Sequence, residues 1–109
     1  MPPLSRREKI EAMLVDDPRD VFLRYSLSLE LEKEGRHEES LQGLRGLMKD
    51  QSPYVPAFFM AAQHLVKQSR VAEARSALRD GIEEARRQGN AHAAGEMSEM
   101  LSSLGSLGE

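Results

Sequence analysis

Residues 21–54, VFLRYSLSLELEKEGRHEESLQGLRGLMKDQSPY, and residues 55–88, VPAFFMAAQHLVKQSRVAEARSALRDGIEEARRQ, are two copies of one pattern. Set one under the other, Val21 falls on Val55, Leu31 on Leu65, Lys33 on Lys67 and Arg36 on Arg70. Further on, Glu39 meets Glu73, Leu44 meets Leu78 and Arg45 meets Arg79. Self-similarity at a period of ~34 residues marks a stacked helical repeat, in which each unit buries its apolar face against the next.

Each copy reads as two helices. In the first, Leu27 and Leu31, with Ser28 beside them, point one way, and Phe22, Tyr25 and Leu29 point another. At about 100° per residue the two sets lie roughly 160° apart. A helix apolar on two sides is sandwiched or half-exposed at a binding surface. Gly35 stops it. The following helix, 37–49, carries Leu41, Leu44 and Met48, and its Gly43 and Gly46 predict a close neighbour. In the second copy Ser52-Pro53 reads as a cap followed by a helix, with Pro56 still in the first turn. Phe58, Ala61, Ala62 and Leu65 form one stripe, and Phe59, Gln63 and Val66 a second. The helix 71–88 is the most regular: Val71, Ala74, Leu78, Ile82 and Ala85 inside, Arg75, Arg79, Glu83, Arg86 and Arg87 outside.

Outside the repeats, Ser5 and Glu8 form a capping box for a helix with Ile10, Met13 and Leu14 on one face. Asp17-Pro18 reads as the cap and first residue of the next helix. Gly89 ends the fifth helix and Asn90 caps a sixth, with Ala94, Met97, Leu101 and Leu104 on one side. The expected fold is therefore all-α, an α–α superhelix of about six antiparallel helices. Residues 1–4 are expected to be a disordered start and 105–109 a frayed tail. Residues 5–104 form one domain: a half-repeat helix (5–17), two repeats (21–54, 55–88) and a capping helix (91–104).

Composition narrows the function. The chain has 109 residues, no cysteine and a net charge of -3. Thiolate zinc sites, iron–sulfur sites and disulfides are excluded, and the charge argues against a general nucleic-acid binder. No apolar run suits a membrane span, and the N-terminus lacks an export core, so a cytoplasmic protein is expected. His37, His64 and His92 fall on different helices, with no i, i+4 partner, and read as surface residues, His37 tucked at a helix turn. No nucleophile turn or phosphate loop is present. No catalytic residue, metal or cofactor is expected.

The repeats resemble tetratricopeptide repeats. Leu27, Ser28, Leu31, Gly35, Ser40 and Leu44 fit that motif in the first copy. In the second, Phe58, Ala62, Leu65, Ala74, Leu78 and Gly81 do. The small pairs, Ser28 with Ser40 and Ala62 with Ala74, let paired helices cross closely. Departures are Arg24 at the aromatic position, Leu47 at a small one, Ala61 for Leu, Ser69 for the turn glycine and Pro53 one place late. The resemblance implies an inner groove lined by the first helix of each pair. Carried over, the lining is Phe22, Tyr25, Leu29, Glu32, Lys33, Pro56, Phe59, Gln63, Val66 and Lys67. These coincide with the second stripes found from periodicity. The implied function is non-enzymatic binding of a protein or peptide, anchored on Phe22, Tyr25 and Phe59. Met60 and Met100 would add an adaptable apolar surface, while Met13, Met48 and Met97 read better as core filling. The alternatives are a homodimer that buries the groove between two copies, or flanking helices that fold over it.

Overall fold

The computed structural model describes residues 2–105. Among these are six helices and no strand: α1 Arg6–Asp16, α2 Val21–Lys33, α3 His37–Met48, α4 Val55–Lys67, α5 Val71–Arg87 and α6 Ala91–Gly105. The repeat is visible in the bounds. Val21 and Lys33 of α2 correspond to Val55 and Lys67 of α4, and His37 of α3 to Val71 of α5. α5 then runs more than a turn beyond the counterpart of the end of α3. Residues 2–4 hold no regular secondary structure. Gly105 closes α6; the rest of the expected tail, 106–109, lies outside the described residues.

The helix starts show where polar groups are satisfied. The Ser5–Glu8 capping box forms, Glu8 N–H donating to Ser5 Oγ at 3.1 Å and Ser5 N–H to Glu8 Oε1 at 2.9 Å. Two expected starts are corrected. Asp20, not Asp17, caps α2, its carboxylate accepting from Leu23 N–H at 2.8 Å. Asp17 still belongs to the end of α1, since its N–H donates to Met13 O, and Pro18 sits in the turn between them. Likewise Pro53 precedes α4 rather than opening it. Tyr54 is the capping position and Pro56 lies in the first turn, where its missing donor leaves no bond unmade.

Three helices end alike. At Gly35, Ser69 and Gly89 the backbone turns left-handed, with φ of 80°, 61° and 75°. The following N–H reaches back to the helix in each case: Arg36 to Leu31 O, Arg70 to Leu65 O, Asn90 to Ala85 O. This double-bonded stop satisfies carbonyls that the helix leaves open. Asn90 then caps α6, accepting from Ala93 N–H at 3.1 Å.

Each helix packs on the next, and α4 also touches α6. The continuous core runs from α3 to α6 and includes Leu41, Leu44, Leu47, Phe58, Leu65, Leu78 and Met97. In α3 it is Leu47, not Met48, that is fully buried. Close crossings follow the small residues. Ser40 Oγ donates to Ser28 O at 2.6 Å, both residues being buried. A methyl group at Gly43 would overlap the Ser28 hydroxyl, so α3 lies directly on α2 there. Arg24, at the aromatic position, is held by a two-pronged pair with Asp50 at 2.7 and 3.2 Å. The pair ties α2 to the segment just after α3, and the guanidinium lies over Gly46 of α3.

Candidate partner-binding cleft

The first helices of the pairs, α2 and α4, and then α6 flank a shallow cleft of about 310 Å³. Its lining is largely apolar: Tyr25 from α2, Val55, Pro56, Phe59 and Met60 from α4, Ala93 and Met97 from α6. Gln63, Asn90 and Glu96 supply the polar groups. Tyr25 is braced from behind by Tyr54, the rings meeting edge-on with centroids 5.3 Å apart. Burial pushes the Tyr25 phenol above its usual range, and Tyr54 adds to the effect. Tyr25, Phe59 and Met60 are only half-buried and pack against the core from outside.

Four of the sequence-derived groove residues line this cleft: Tyr25, Pro56, Phe59 and Gln63. Leu29 and Val66 are half-buried beyond it, and Lys33 and Lys67 are exposed. Phe22 is 69% exposed and does not line the cleft. Glu32 turns to His37, whose Nδ1–H donates to its Oε1 at 2.8 Å. Two readings of the histidines are corrected. His64 is not a surface residue but 4% exposed in the α4 interior face. His92 does have an i, i+4 partner, Glu96, at 3.1 Å. Among the described residues no three His, Cys, Asp or Glu side chains gather into a metal-binding group.

Residues contributed by α6 were missed by sequence reasoning, although the signal existed. Ala93 follows Phe59 at the spacing by which Phe59 follows Tyr25, so α6 occupies the place of a third first helix. Tyr54 had no such signal, since it lies in the loop before α4.

A larger cleft, about 590 Å³, opens on the other side between α3 and α5. Its lining mixes apolar side chains, Met48, Phe58, Ala61, Leu65 and Ala77, with charged ones, several of which pair with each other. Arg45 lies 3.8 Å from Glu73, and Arg87 binds Glu83 and Glu84.

No family model matches the sequence, and no curated protein sequence does. Solved structures do match. A tetratricopeptide repeat domain protein from Salinibacter ruber superposes with a TM-score of 0.79 at 24% identity, covering 84% of this chain and 93% of that one. The fold is tetratricopeptide-repeat-like. A protein from Bordetella parapertussis gives the same TM-score and identity over 95% of this chain and 90% of its own. In that fold α2 pairs with α3 and α4 with α5, and α6 follows. No helix among the described residues is long and apolar enough to cross a membrane.

Proposed function

We propose that the chain is a non-enzymatic protein-interaction module that holds a peptide or short helix in the cleft of α2, α4 and α6. The supporting observation is that Tyr25, Phe59 and Met60 remain half-buried and reachable while packed against a core that runs from α3 to α6. Rigid aromatic side chains on a fixed helix make good anchors because little conformational freedom is lost on binding. Gln63 and Asn90 can hydrogen-bond the main chain of an extended segment, and Met60 adapts to varied side chains. Neither a cofactor nor a metal is part of this reading.

The test is to select peptides from a display library and map the best one by amide chemical shifts. Perturbations centred on Tyr25, Phe59, Gln63 and Ala93 are expected. Tyr25→Ser and Phe59→Ser should each weaken binding about tenfold or more, with unchanged helix content. Perturbations centred on the α3–α5 cleft would overturn the assignment. A second reading, self-association, is favoured by a different observation. Leu4, Met13, Val15 and Phe22, toward the N-terminal end, are 52%, 49%, 80% and 69% exposed.

A further inference from the structure

The histidine cluster on the repeat seam is not explained by partner binding. Glu32 lies at the end of α2, His37 opens α3 and His64 is in the last turns of α4. The Glu32 carboxylate sits between the two imidazoles: Oε1 is 2.8 Å from His37 Nδ1 and 3.7 Å from His64 Nδ1. The first distance is a hydrogen bond and the second is not. The His64 side chain is 6% exposed, and its buried Nδ1 has no hydrogen-bond partner. A buried polar atom left unpaired beside a carboxylate is an arrangement with one bond still to make.

We propose that Glu32, His37 and His64 form a proton-sensitive latch across the seam between the two repeats. At neutral pH the latch is one-sided: His64 carries its single ring proton on Nε2, Glu32 accepts from His37 alone, and α2 is tied to α3 but not to α4. When His64 takes up a proton, both of its ring nitrogens become donors. Nδ1 then donates to the ionised Glu32 carboxylate, and the 3.7 Å gap closes toward hydrogen-bond length. Glu32 has two oxygens, so it bridges both rings and ties α2, α3 and α4 together. No bond to His37 need be given up.

The charges facing His64 set when this happens. Burial resists the proton, and His37 on α3 and Lys67 on α4 itself resist it further; Glu32 on α2 favours it. Among the described residues, no charge from α5 or α6 acts on the ring. The latch therefore closes at lower pH than an ordinary histidine titrates. Its effect falls on the spacing of α2 and α4, both of which also carry cleft residues. The inference does not depend on what the cleft binds.

The experiment is a titration of the three histidine rings and the backbone amides by NMR, from about pH 8 to pH 5. It is run on the wild-type chain, Glu32→Gln and His37→Gln. In the wild type, amides at the end of α2 and in the last turns of α4 should shift together, with the midpoint of His64 rather than that of His37. Glu32→Gln should move the His64 midpoint further down and abolish the concerted amide shift. His37→Gln should move it up, because a competing positive charge is gone. If Glu32→Gln leaves the His64 midpoint in place, or if the seam amides follow His37 alone, there is no latch.

Discussion

Ser69 holds a backbone conformation that suits glycine. Its φ of 61° places the side chain against the following carbonyl, a strain of about 1–2 kcal/mol for a residue with a Cβ. The bonds of the turn require it: Ser69 N–H donates to Val66 O and Arg70 N–H to Leu65 O. Ser69→Gly should therefore stabilise the chain by about 0.5–1 kcal/mol in urea unfolding, the greater freedom of glycine when unfolded offsetting part of the gain. Ser69→Val should destabilise it. His64 gives a second prediction at this scale. Its folded-state pKa is held below the ordinary 6.5, chiefly by burial. The unfolded chain thus takes up the proton first as pH falls. His64 should add no pH dependence above about pH 6.5, and stability should fall below that, toward the folded-state pKa. A latch bond to Glu32 recovers only part of the loss. His64→Leu should remove that slope in unfolding measured across this range. Both features bear on how legible single residues are. Ser69 was visible in the sequence as a departure from glycine at a turn. The setting of His64 was not, because the Glu32 and His37 side chains near it come from other helices. The Arg24–Asp50 pair was hidden for the same reason, since its partner lies in the loop after α3.

At the level of the helices, two glycines should respond in opposite ways to the same change. Gly81 of α5 faces α4 and α6. A Cβ there would come within 2.6 Å of both Phe58 Cβ and Met97 Sδ. Phe58 Cβ cannot yield without moving α4, so Gly81→Ala should cost about 1–2 kcal/mol net of its better helix propensity. Gly95 of α6 has nothing within 4 Å of such an atom. Gly95→Ala should gain about 0.5–1 kcal/mol, from propensity alone. Thermal or urea unfolding of the two variants separates the signs. If both variants stabilise, α5 does not lie as close to α4 and α6 as described. The order and type of the helices were legible because period, apolar stripes and glycine stops agree. Two starts were not, because Asp17-Pro18 and Ser52-Pro53 each look like a cap followed by a first-turn proline. What decides is which carboxylate or backbone group reaches the open donors, and in α2 that is Asp20.

The whole molecule is elongated, 52 × 29 × 18 Å, with a radius of gyration of 14.9 Å. A compact domain of similar length would have about 13 Å. This is the shape of a stack in which each unit meets only its neighbours. Its two ends differ. α6 closes the C-terminal end with buried Ala94, Met97 and Leu104. At the other end α1 buries Ile10 and leaves Met13 and Val15 exposed. The repeat period allowed the architecture to be read from sequence, and with it four residues of the cleft. The extent of the cleft was not readable, because it depends on α6 standing as a further first helix and on how far the superhelix turns. Phe22 shows the limit: it shares a stripe with Tyr25 but lies beyond the cleft. One chain is expected to complete its own core and to leave the cleft of Tyr25 and Phe59 open. Sedimentation equilibrium over a wide range of concentration tests this most directly. The mass of a single chain is expected throughout, or a weak dimer that Phe22→Ser removes while Tyr25→Ser and Phe59→Ser do not. A dimer abolished by Tyr25→Ser or Phe59→Ser would contradict it, because the cleft would then be filled by a second copy.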